Sequence, residues 1–84
     1  MNIEDCKDKL FNALVLLNHG DSMEFESMTL YRLEDEYLML DKEVRTRLPF
    51  YEWNKSSQAV INKLTEQDIK EWSLRVWQFS LAFW

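Results

Sequence analysis

Apolar residues recur at steps of three and four over the first seventeen positions: Ile3, Cys6, Leu10, Leu14 and Leu17, with Phe11 and Ala13 flanking the stripe. That spacing is one face of an α-helix. Asn2 stands where an N-cap belongs, and Asp5 follows three residues later as in a capping box. Asp5 and Lys9 are spaced for an i,i+4 ion pair. Asn18-His19-Gly20 is expected to end the helix, because glycine tolerates the left-handed conformation that closes many helices.

From Asp21 the period falls to two. Met23 and Phe25 alternate with Glu24 and Glu26, then Thr29, Tyr31 and Leu33 alternate with Met28, Leu30 and Arg32. Tyr37-Leu38-Met39-Leu40 follows the polar triplet Glu34-Asp35-Glu36, which predicts a hairpin with the acidic residues in its loop. Asp41-Lys42-Glu43 reads as a second turn. Val44–Leu48 resumes alternation as an edge strand, stopped where Pro49 removes a ladder donor. Together these segments predict an antiparallel meander with one face for the helix to cover.

The remainder is less regular. Trp53–Ser57 reads as a loop or tight turn, and Gln58–Leu64 as a short helix or turn. Thr65-Glu66-Gln67-Asp68 is an N-terminal cap signature for a helix running through Ile69 and Trp72. Ser73–Trp84 fits two templates. As a strand it sets Arg75, Trp77, Phe79, Leu81 and Phe83 on one side; as a helix it aligns Trp72, Val76, Phe79 and Phe83. Its aromatic content favours the strand. The expected fold class is therefore α+β in a single domain, 1–84. An N-terminal helix packs on a small antiparallel sheet, followed by a short second helix and an aromatic C-terminal strand.

Eighty-four residues leave room for one core. Such a core hides only about 60–65% of the unfolded surface, so a stability of roughly 4–12 kcal/mol is expected. The net charge of −5 is unevenly spread. Residues 1–41 hold ten acidic against three basic side chains, a balance of −7, and residues 42–84 hold five against seven, a balance of +2. The acidic front half argues against direct nucleic-acid binding, which rests on cations. Cys6, the single cysteine, rules out an intrachain disulfide and fits a reducing cytoplasm. No apolar run approaches the roughly 20 residues of a membrane span, and the acidic N-terminus lacks a signal-peptide pattern, so a cytoplasmic chain starting at Met1 is expected.

Chemistry-bearing motifs are scarce. His19 beside Asp21 is a candidate base, but its position before Gly20 suits a helix C-terminal histidine facing the dipole. Cys6 lies on the apolar stripe, as a core thiol does. No metal-ligand spacing, nucleophile elbow or glycine-rich phosphate loop occurs. The expectation is a protein that is not an enzyme, with no catalytic residue, cofactor or metal.

Two surfaces rise above that background. One is acidic and includes Asp21, Glu24, Glu26, Glu34, Asp35, Glu36 and Asp41; it would suit a basic partner. The other is an aromatic surplus: Phe50, Tyr51, Trp53, Trp72, Trp77, Phe79, Phe83 and Trp84. Aromatic side chains anchor interfaces, and Trp53, Trp77 and Trp84 are the chosen protein-binding candidates beside the acids. Self-association through the same surplus is a second outcome.

The segment Ala13–Gly20, the hairpin Tyr31–Leu40 and the run from Thr65-Glu66-Gln67-Asp68 to Trp72 resemble small accessory proteins encoded by phages and prophages of Gram-positive bacteria. That resemblance implies a phage-encoded counter-defence protein of the anti-CRISPR type, acting in the host cytoplasm. It would bind and inhibit a host protein such as a nucleic-acid-handling defence enzyme. An alternative is an oligomeric sponge for a signalling nucleotide, its phosphates held by Arg32, Arg45, Arg47 and Arg75. Relatives of that type carry a basic pair and a Trp soon after the glycine, where this chain has Asp21-Ser22-Met23-Glu24-Phe25. A further alternative is a structural or regulatory subunit of an obligate complex.

Overall fold

A computed structural model describes residues 2–82, with side chains through residue 76. The first helix, α1, spans Ile3–Val15. The Asn2 side chain accepts the Asp5 amide at 2.9 Å, so the expected cap forms. Lys7 pairs with Glu4 at 3.8 Å, in place of the expected Asp5–Lys9 pair. Surface pairs of either spacing contribute only about 0.2–0.5 kcal/mol, too little for sequence spacing alone to select one. The helix also stops earlier than expected. Gly20, at φ +95°, shapes the turn into the sheet instead of capping the helix. Its amide donates to the Arg32 carbonyl at 2.8 Å.

Four strands follow: β1 (Ser22–Glu24), β2 (Thr29–Arg32), β3 (Glu36–Asp41) and β4 (Val44–Pro49). They pair antiparallel in chain order, which is the meander expected from the alternation. Lys42, in the β3–β4 turn, takes a positive φ of 57°. The inner face carries Leu30, Arg32, Tyr37 and Met39, all buried. The Tyr37 hydroxyl donates to the Leu14 carbonyl of α1 at 2.8 Å, tying helix to sheet. Among the described residues no helix packs on the outer face.

A 3-10 turn (Phe50–Glu52) leads into α2 (Trp53–Lys63), and α3 runs Glu66–Ala82. Both α2 and α3 pack on α1. Their apolar residues Val60, Ile61, Leu64, Ile69 and Trp72 join Cys6, Leu10 and Leu14 in the core.

Two expectations are corrected here. Trp53–Ser57 is helical, because its serines find tertiary places: Ser56 Oγ donates to the Pro49 carbonyl at 2.7 Å and Ser57 is fully buried. The expected C-terminal strand is helix through Ala82. Thr65 and Asp68 cap each other reciprocally, at 3.1 and 3.2 Å. From that nucleus each added residue gains a hydrogen bond, and neither Gly nor Pro interrupts the run. The β preference of aromatic residues depends on a neighbouring strand and yields to this.

Candidate functional site

Arg32 is the residue around which one end of the sheet is organised. Strand alternation turns it to the inner face, where it is 7% exposed. Its guanidinium lies over the Phe50 ring at 3.4 Å from the centroid and 5.8 Å from that of Tyr37. Nη1 donates to the Glu34 carbonyl at 2.9 Å, and Nε is buried without a hydrogen-bond partner among the described residues. Among the described residues this buried cation has no carboxylate partner, which is costly, and the two rings and the Glu34 carbonyl compensate in part. Burial raises the Tyr37 pKa above the usual phenol range, and the Ser57 hydroxyl and the Arg32 charge oppose that rise.

This arrangement holds a loop and a turn together. Arg32 pins Glu34 from below, while the Phe50 amide donates to the Asp35 carbonyl at 2.8 Å. Glu34 and Asp35 are exposed, and Glu36 is half-buried in an ion pair with Arg47. Beside them stand Tyr51 of the 3-10 turn, 82% exposed, and Trp53 at the start of α2, 44% exposed. Trp53 packs edge-on against Phe11 with centroids 6.1 Å apart, so its position is fixed by α1. The acidic triplet and an aromatic turn thus share one end of the molecule.

The other candidates fall elsewhere. Glu24, Glu26 and Asp41 lie at the opposite end of the sheet, with the β1–β2 and β3–β4 turns. Strands of this length separate the two acidic groups by about 15–20 Å, so the acids form two patches and not one. Asp21 closes a turn by accepting the Asn18 amide at 2.9 Å. Trp77 lies on α3 beyond the described side chains, and Trp84 lies outside the described residues. Trp72, read as part of an aromatic surplus, is in the core.

His19 is exposed in the turn after α1 and not at the helix terminus, contrary to expectation, while Cys6 is buried as expected. The four arginines of the nucleotide-sponge alternative do not converge. Arg32 faces the core, Arg45 and Arg47 share the outer face of β4, and Arg75 donates to the Glu24 carbonyl at 2.7 Å. Among the described residues, no three His, Cys, Asp or Glu side chains come together around a metal-sized space. Nor is any helix among them long and apolar enough to cross a membrane.

Tyr51 was counted in the aromatic surplus but not among the binding residues, and Arg32 was named only as a phosphate ligand of the sponge alternative, not as the anchor of this end. Arg32 was legible in part, since it alternates in phase with Leu30 and so had to face the core. Tyr51 has no such signal, because its exposure depends on the 3-10 turn.

Compared with known proteins, the chain matches no family model, no curated protein sequence and no solved structure.

Proposed function

We propose that this chain is a non-catalytic binding protein whose basic partner docks on Glu34, Asp35 and the Phe50–Trp53 turn. The supporting observation is the Phe50–Asp35 backbone bond, backed by the Arg32–Phe50 stack, which seats exposed carboxylates beside an exposed tyrosine. Pre-organised aromatics offer contact area at low entropic cost, and the surrounding charge steers an oppositely charged surface. Enzymes that handle nucleic acid carry such basic surfaces, and occupying one inhibits it. The resemblance to phage accessory proteins favours a host enzyme of that kind.

Affinity capture followed by titration tests the reading. Combining Tyr51→Ala with Glu34→Lys and Asp35→Lys should weaken the captured partner's affinity by at least about tenfold. For the unaltered protein, raising salt from about 0.1 to about 0.5 M should slow association. Glu26→Lys with Glu43→Lys, at the far end of the sheet, should leave affinity within about threefold. A partner held equally well by both variants, or indifferent to salt, rules the docking site out.

A further inference from the structure

The outer face of the sheet is ordered by charge. One cross-strand row reads Glu24, Thr29, Leu40, Arg45 from β1 to β4, and the next reads Ser22, Tyr31, Leu38, Arg47. Each row runs from an acidic or polar edge, through an apolar middle, to a basic edge. Tyr31 is 37% exposed at the centre, and Leu38 and Leu40 beside it are half-buried. Arg47 is engaged by Glu36. Glu24 and Arg45 are both exposed, and neither side chain has an ion pair among the described residues. Three strand spacings, about 14 Å, separate them, so they cannot neutralise each other within one copy.

We propose that this face binds a second copy of the chain about a two-fold axis parallel to the strands. Under that rotation β1 of one copy lies over β4 of the other and β2 over β3. Glu24 then meets Arg45 twice, and Tyr31 meets Leu38 twice. The other in-plane two-fold, across the strands, would lay each strand over its own copy, setting Arg45 over Arg47 and leaving Glu24 over Ser22 without a cation, which like-charge repulsion opposes. Aligned packing of two twisted sheets about 10 Å apart is the usual geometry for such faces. Strands of three, four, six and six residues, about 3.3 Å per residue and about 4.8 Å apart, present roughly 300 Å² per copy. The pair then buries on the order of 700 Å² of accessible surface, below the size of a standard specific interface, so the charge pairing carries the proposal and the dimer is weak, with a dissociation constant on the order of 100 µM.

A rotation about the strand direction leaves both ends of the sheet where they were. The Glu34–Tyr51 ends of the two copies therefore point the same way, and the dimer is bivalent toward a partner. That consequence rests on the binding reading above; the dimer does not.

Sedimentation equilibrium of the full chain between about 1 and 500 µM decides the matter, a range that brackets the affinity expected for this area. The unaltered protein should dimerise reversibly. Glu24→Arg and Arg45→Glu, each alone, should raise the dissociation constant about tenfold, because the symmetry spoils two contacts at once. The double variant carrying both changes should return to within about threefold of the original. Circular dichroism of each variant establishes that it is folded. A monomer throughout, an open-ended aggregate, or a dimer that ignores the single reversals overturns the proposal. So does a double variant that stays as weak as the singles. None of these outcomes touches the partner-binding experiment, which reads the opposite surface features.

Discussion

Arg32 carries an unusual load for a strand residue. Its stem fills core space, its guanidinium covers Phe50, and its hydrogen bond holds the acidic loop. Arg32→Ala should cost about 2–3 kcal/mol in urea unfolding, chiefly through lost packing. Arg32→Met keeps the volume and removes a poorly compensated charge, so its stability should stay within about 1 kcal/mol. The Phe50 amide should nonetheless exchange faster in Arg32→Met, and an unchanged rate would mean that the arginine does not anchor the loop. Asp68 is the second residue of this kind. It is 2% exposed and accepts from Ser27 N and Thr65 N at 3.2 Å each, and from the Ser27 hydroxyl. Burial opposes its ionisation, but the hydrogen bonds from Ser27 and Thr65 outweigh that and hold its pKa below the usual carboxylate range. The native pKa thus lies under the unfolded one. Its stabilisation is complete above the unfolded carboxylate range and fades as pH falls through the native value. Asp68→Asn should cost about 1–2 kcal/mol near neutral pH, and the gap should close toward about pH 2. A gap that is constant with pH would show that charge is not what Asp68 contributes.

At the scale of elements, turns and caps set the boundaries. Gly20 has open space around its α-carbon, with nothing within 4 Å of where a methyl would sit, so substitution there meets only the backbone penalty of φ +95°. Gly20→Ala should therefore cost about 1 kcal/mol by thermal or urea unfolding, and a neutral result would mean the turn can relax. Lys42 pays the corresponding strain in the native protein at φ 57°. Lys42→Asn should return about 0.5–1 kcal/mol and raise Tm by about 3–6 °C. The first helix and the meander were legible because each has a period, although the helix ends at Val15, ahead of the stop expected at Asn18-His19-Gly20. The third helix was half legible. Its start was written in Thr65 and Asp68, but its length was masked by aromatic residues that suit a strand equally well when no neighbour is specified.

For the whole molecule, the governing fact is that three helices cover one face of the sheet and, among the described residues, none covers the other. The acids, gathered in the front half of the sequence, are divided between the two ends of this platform. Glu34 and Asp35 join the aromatic turn, whereas Glu24 and Glu26 stay at the far end. A dimer through the open face would make stability depend on concentration. Raising the protein from about 5 to 500 µM should lift Tm by about 3–6 °C by mass action. A Tm indifferent to concentration over that range would weigh against the interface.

The period of the apolar residues determined by itself that there is an N-terminal helix, a four-strand meander and a buried Cys6, because burial on one face imposes that period locally. Charge counting determined the acidic surplus. Only the tertiary structure decided which acids stand together and that Arg32 is stacked under Phe50. It alone decided that Tyr51 is exposed beside Asp35, and that Glu24 and Arg45 sit at opposite edges of one open face. The reason is that cross-strand register and the path of the Phe50–Glu52 turn bring together residues far apart in the chain, and no local pattern records a neighbour supplied from elsewhere.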